Sequence, residues 1–274
     1  MRASLAATLL AAALPCVSPA TSSAQDFRVF TTVSDISGAR PIEVSRSLTL
    51  FHAGQAWDHA VESGQVVRFD PADAEFVILD TRRDLACTVK LEELARLLEV
   101  GRKETEKAIA ELGPESPALA ESLTFQLTPR YEMTDETEAN RTTFVGGPLT
   151  YRFTHATPGR PSISSSYWDF RDWTAKLNWT LGPGKLFPYV YPPLHDELRE
   201  RGVVPQRIER TLADDPVRPA RRHAAEHSFQ EKLDPRDREL ISEWRARLAS
   251  PKTRMVTFRE YQRQTLGGAL QPTR

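Results

Sequence analysis

His223-Ala224-Ala225-Glu226-His227 follows the H-x-x-E-H order of inverted zinc peptidases. That chemistry needs both histidines on one helical turn, the glutamate as base, and a third ligand from a following helix. Here the run passes straight into His227-Ser228-Phe229-Gln230-Glu231-Lys232-Leu233, whose alternation reads as a strand. The expectation is that His223 and His227 hold no metal. His52 and His59 flank a turn and offer an acid–base or metal pair, although histidines in a meander are more often ordinary surface or core residues. Asp58, Asp70 and Asp80 read as strand-closing residues beside turns, where Asp bonds locally. Cys87, within Leu85-Ala86-Cys87-Thr88-Val89, has no adjacent His or basic cluster and reads as a buried small hydrophobe. No G-x-S-x-G, C-x-x-C or G-x-G-x-x-G run occurs. Gly182-Pro183-Gly184-Lys185 carries a proline and is followed by Leu186 where a phosphate loop needs Ser or Thr. These readings imply no cofactor and lean away from an enzyme. A hydrolase assembled from distant residues stays open as the competing class.

The most aromatic stretch spans residues 164–194. Ser166 and Asp169 have capping-box-like spacing, and Phe170, Trp173, Leu177 and Leu181 share one helical stripe. Trp168 and Trp179 lie off it, so the helix is apolar around much of its circumference. A helix plugged into a curved sheet explains this, and so does an aromatic-lined cavity. Trp168, Phe170, Trp173 and Trp179 are therefore the ligand-contact candidates. Trp173 is expected in the core, with any ligand contact falling to Trp168 or Trp179.

The elements that must position these residues begin with an alternating segment from Phe27 to Val33. A meander from Ser45 to Thr81 follows, broken by turn chemistry at about ten-residue spacing. Its last strand, Phe76-Val77-Ile78-Leu79, is apolar on both faces, and Leu85–Val89 offers a further strand. The period then becomes helical at Leu91, Leu94 and Leu98, with Thr88 as a cap, Gly101 as a divider and Gly113-Pro114 as a stop. Leu123, Phe125, Leu127, Tyr131 and Met133 keep period two across Pro129 and predict an edge strand or a bulge. Strand pairs around Phe144 and Tyr151, a short helix at Leu194–Arg201 and a strand from Gly202 to Glu209 come next. Asp234-Pro235 opens a helix carrying Leu240, Ile241, Trp244 and Leu248 on one face, and Val256 and Phe258 close with a short strand.

Residues 1–24 read as a signal peptide: Arg2, an apolar core from Leu5 to Leu14 too short to span a bilayer, then small residues Ser22 and Ala24. A lipidated Cys16 is the alternative, disfavoured by Pro15. Residues 25–274 then form a single α+β domain with one cysteine. The formal charge of −1 becomes −2 without Arg2, which excludes the basic surface a nucleic-acid partner demands. No later apolar run is long enough for a transmembrane helix.

The segments Ala53–His59, Val67–Asp80 and Gly202–Glu209 resemble the strands of periplasmic lipoprotein-carrier proteins, the LolA/LolB-like half-barrel. Tyr167–Trp173 and Leu186–Pro193 also resemble segments of a group of secreted bacterial proteins of unknown function. The resemblance implies a curved antiparallel sheet with helices packed on its concave face. It also implies an exported, periplasmic or extracellular protein that binds an apolar small molecule, a lipid or an envelope protein. A structural or protein-interaction component of the envelope is the third class.

Overall fold

The computed structural model describes residues 26–112, 115–182, 185–213 and 219–269. Residues 1–24, read above as a signal peptide, with Cys16, and the expected Gly113-Pro114 stop and Pro183-Gly184 lie outside them. The chain opens with β1 (Phe27–Asp35), β2 (Ile42–His52), β3 (Gln55–Ala60), β4 (Gln65–Asp70), β5 (Glu75–Asp80) and β6 (Leu85–Lys90). Each meander strand pairs antiparallel with the next. The turn between β2 and β3 is two residues long, with Ala53 and Gly54 both at positive φ, the geometry that matches strand twist. The next three loops end in left-handed residues ten apart, Gly64, Ala74 and Asp84. Asp70 and Asp80 each accept two backbone N–H groups of the following loop, as expected of Asp at such turns.

Next come α1 (Leu91–Leu112) and α2 (Pro117–Leu127). Thr88 is not a cap, because it lies inside β6 opposite Val77. Gly101 does not divide α1. A Cβ there would stand 2.0 Å from Cη2 of Trp179, so this glycine is required by a close approach rather than by a break. Of the strand expected across residues 123–133, residues 123–127 are the end of α2, and only Glu132 and Met133 are extended, at the start of a strand. Pro117 sits at the first turn of that helix, where a missing N–H costs nothing. Short apolar runs satisfy both periods, and here the helix won.

Then follow β7 (Glu132–Glu136), β8 (Arg141–Gly146), β9 (Leu149–Ala156), α3 (Pro161–Leu181), α4 (Pro192–Glu200), β10 (Val204–Leu212) and β11 (Arg221–Gln230). The chain finishes with α5 (Pro235–Leu248), β12 (Arg254–Val256) and α6 (Phe258–Ala269). Ser166 does not cap α3, which begins five residues earlier at Pro161. Asp234 does cap α5, with Asp237 completing the capping box. Phe258 starts α6 instead of closing a strand, and β12 pairs parallel with β6.

One twelve-stranded sheet results, in the order β12-β6-β5-β4-β3-β2-β1-β11-β10-β9-β8-β7. It is mostly antiparallel and unclosed, ending on the three-residue β12 and the exposed, acidic β7, both poor templates for further pairing. Its curvature follows from α3. Phe170 lies 6.2 Å from Phe69 on β4, while Trp168, two residues away, lies 6.4 Å from Phe153 on β9. Those strands are six positions apart, roughly 29 Å along the sheet at about 4.8 Å per strand. The sheet must bend around the helix for both contacts to exist.

Strand alternation sorts the core in two. Phe51, Phe69, Phe76, Ile78 and Phe153 pack with Leu94, Phe170, Leu177 and Tyr261 on the α3 face. Leu50, Trp57, Val66 and Leu79 pack with Ile241 and Trp244 of α5 on the other. The two-sided apolar character of Phe76–Leu79 reflects this double covering, so the helices do not all share one face. Cys87 is fully buried on the α3 face, and burial pushes its thiol up to about 12. Among the described residues no helix is long and apolar enough to cross a membrane.

Candidate functional site

His223 and His227 lie on β11, opposite Asp35 and Thr31 of β1. Four residues along a strand separate them by roughly 13 Å, against the single helical turn that zinc chemistry requires. Glu226 points to the opposite face and pairs with Arg207. Among the described residues no three or more His, Cys, Asp or Glu side chains converge as a metal site. His52 and His59 are not brought together either: the first bonds Asp26 at 2.8 Å, and the second lies against Trp244.

His227 instead belongs to a polar group on the α3 face. Its Nδ1 shares a hydrogen bond of 3.0 Å with the Thr31 hydroxyl, its ring meets Tyr167 edge to face, and its Nε2 is buried without a partner. Tyr167, Arg171 and Thr174 form one stripe of α3 at i, i+4 and i+7 spacing. Tyr167 Oη, Arg171 Nε and Thr174 Oγ1 are likewise buried and unpartnered. Asp58 contradicts its expected place beside a turn. It sits mid-strand on β3, accepting the Thr49 hydroxyl at 2.7 Å.

The electrostatics centre on Arg171. Its charge reaches Asp58, Tyr167, His195 and His227. The nearest acids of its own helix are taken by another cation, since Asp169 and Asp172 both pair with Arg199. Arg171 is thus left without an ion pair among the described residues. Burial raises the Asp58 carboxyl above its ordinary range, opposed by Thr49 and Arg171, although part of the residue remains solvent-accessible. Burial pushes the Tyr167 phenol up to about 12 and His227 down to about 3, with Arg171 adding to the latter. Beside the group, Thr31, Val33, Ser47, Ile208 and Ala225 are only partly covered, so this part of the sheet is not filled.

The low value at His227 has a measurable consequence. An unfolded chain protonates this histidine near 6.5, whereas the folded one resists until about 3. Below 6.5 the unfolded state therefore binds more protons, and stability falls with pH through that window. Urea melts at pH 7 and pH 4.5 should show a smaller acid loss for His227→Gln than for the unchanged protein. Equal losses would place the acid sensitivity elsewhere.

The aromatic candidates divide differently from expectation. Trp168 and Phe170 are buried. Trp168 donates its indole N–H to the Val203 carbonyl at 2.9 Å. Trp173 is partly exposed, with the Lys176 ammonium 3.8 Å over its ring, and Trp179 packs against Gly101 and Phe187. Trp168 is thus wholly inside the core, while Trp173 packs against it from a partly exposed position. A second buried group, Asp172–His195 at 2.5 Å, is internally satisfied: burial raises Asp172, but His195 and Arg199 outweigh it and hold the carboxyl below its usual range. Sequence reasoning missed Tyr167, Arg171 and Asp58. The one available signal was the i, i+4, i+7 spacing of Tyr167, Arg171 and Thr174 on a helix rich in aromatic residues.

Beside His227 the sheet itself opens. Pairing of β10 with β11 stops at Arg207 and Glu226, where Pro205, lacking an N–H, accompanies an irregularity in β10. Below it, Val204–Gln206 and His227–Gln230 part around a cavity of about 410 Å³ lined by Phe27, Ile163, Val204 and Phe229. A second cavity of about 350 Å³, lined by Phe30 and Thr32, shares Gln206, His227 and Ser228 with the first. No protein-family model matches this chain, and no curated protein matches it either.

Proposed function

We propose that this is an exported, non-enzymatic binding protein. In this reading the curved sheet is a half-barrel whose concave side is the α3 face, partly filled by helices and partly open to an apolar or amphiphilic ligand. One observation carries the reading: Tyr167, Arg171, Thr174 and His227 each turn a buried, unpartnered polar atom to the same face. Buried polar groups are nearly always satisfied, because leaving one unpaired costs about 1–3 kcal/mol. Four together on a partly uncovered face fit a site completed by a bound molecule. His227 bonds the Thr31 hydroxyl, but no carboxylate orients its ring and its Nε2 has no partner, so the third group that would activate a hydroxyl nucleophile is missing, which favours binding over hydrolysis.

Native mass spectrometry of protein recovered from an exporting host tests the proposal. The expected result is a chain beginning at Gln25 that carries a small amphiphile, released on denaturation. A chain retaining residues 1–24 would refute export. A ligand-free protein that also fails to take up a fluorescent fatty acid would refute the binding role and favour an envelope scaffold. Turnover of ester substrates that is lost in His227→Gln would promote the hydrolase class.

A further inference from the structure

We infer that the ligand is a single-chain monocarboxylic acid, its carboxylate received by Arg171 and Tyr167 and its chain lodged where β10 and β11 part. The inference rests on the binding role proposed above and specifies its chemistry. Arg171 supplies a guanidinium with a buried, unused Nε: Asp169 and Asp172 pair with Arg199, and Asp58, which feels the Arg171 charge, accepts the Thr49 hydroxyl and forms no ion pair with it. A guanidinium matches a carboxylate in two parallel hydrogen bonds, and the Tyr167 hydroxyl adds a further donor. Only one cation of the group lacks a partner, so the complement is a monoanion.

The chain's place follows from His227, which touches both regions. Its ring stands against Tyr167 on the α3 face and also lines both cavities at the strand opening. The larger cavity, about 410 Å³, lies in the range of small-molecule sites, and Phe27, Ile163, Val204 and Phe229 give it apolar walls. The opening lies between two strands of one sheet, so it admits a narrow, unbranched chain and excludes a bulky ring system. The second cavity continues the same opening towards the other face past Gln206 and Ser228, leaving room for chains of different length.

Calorimetric titration with octanoate, octan-1-ol and octylamine separates the elements of the inference. Octanoate should bind about tenfold to hundredfold more tightly than either of the others, the worth of a charge-assisted hydrogen bond. Arg171→Met should abolish that preference and Arg171→Lys should retain part of it. Val204→Trp should weaken all three ligands by filling the opening, with the preference for octanoate intact. Thermal melts would confirm that each variant is folded, and the three-ligand comparison on the unchanged protein stands even where a variant is not. Equal binding of octanoate and octan-1-ol would overturn the carboxylate assignment and leave the binding role standing. Unaltered binding in folded Val204→Trp would overturn the placement of the chain. Failure of all three ligands to bind would overturn the single-chain acid as ligand, and the binding role would fall with it where the exported protein also carries no amphiphile.

Discussion

Replacing Trp168 with alanine is expected to lower stability by about 3–5 kcal/mol, the usual cost of removing a large aromatic from a packed core. The side chain is wholly buried, meets Phe153 and Tyr167 edge to face and lies obliquely against His195. It is the residue through which α3 grips the β9 side of the sheet. Its N–H bond to the Val203 carbonyl is duplicated by the Ser164 hydroxyl, also at 2.9 Å, so the carbonyl stays satisfied after truncation. The loss is therefore one of packing, and Trp168→Phe should recover most of it. Trp173→Ala, at a partly exposed position under Lys176, should cost much less. Urea melts of the three variants decide the matter. Trp173→Ala proving the more damaging would mean that α3 is rotated relative to the arrangement described.

Arg28→Met is expected to cost about 3–5 kcal/mol for a different reason. Arg28, on β1, reaches across the other face of the sheet to Asp234 at 2.9 Å and Asp237 at 3.1 Å. Asp234 is exposed, and its pair contributes little. The Asp237 side chain is only 2% exposed, and no other cation pairs with it among the described residues. Removing Arg28 leaves a buried carboxylate without its counter-charge, which is far costlier than never having built the pair. Asp237 keeps the backbone N–H of Asp234 at 2.8 Å, which favours the lower end of the range. Arg28→Met combined with Asp237→Asn should recover at least half of the loss, because the amide keeps the capping contact without the charge. A single variant within about 0.5 kcal/mol of the unchanged protein would show that the pair behaves as a surface contact.

The meander was legible in the residues alone. Alternation named the strands, and Asp70, Asp80 and Ala53-Gly54 marked turns through hydrogen bonding and backbone preferences that act within a few residues. The start of α5 at Asp234-Pro235 and the strand at His223–His227 were legible for the same reason. Where a segment satisfied two periods, as at residues 123–127, local pattern could not choose. Gly101 looked like a break because a close contact with Trp179, far along the chain, leaves no local mark. The pairing of β12 parallel to β6, and the side of the sheet that α5 covers, depended on partners distant in sequence.

The candidate site lies mostly in that second category. Asp58, Tyr167, Arg171 and His227 come from three separated segments; His227 drew notice only as part of a metal-like motif, and the others read in isolation as ordinary turn, aromatic or surface residues. Periodicity determines which residues of one element share a face. It carries no information on how far a sheet bends or which helix enters the bend. Only the curvature that lets α3 touch both β4 and β9 brings those side chains onto one face, and only the loss of pairing at Pro205 opens the sheet beside them.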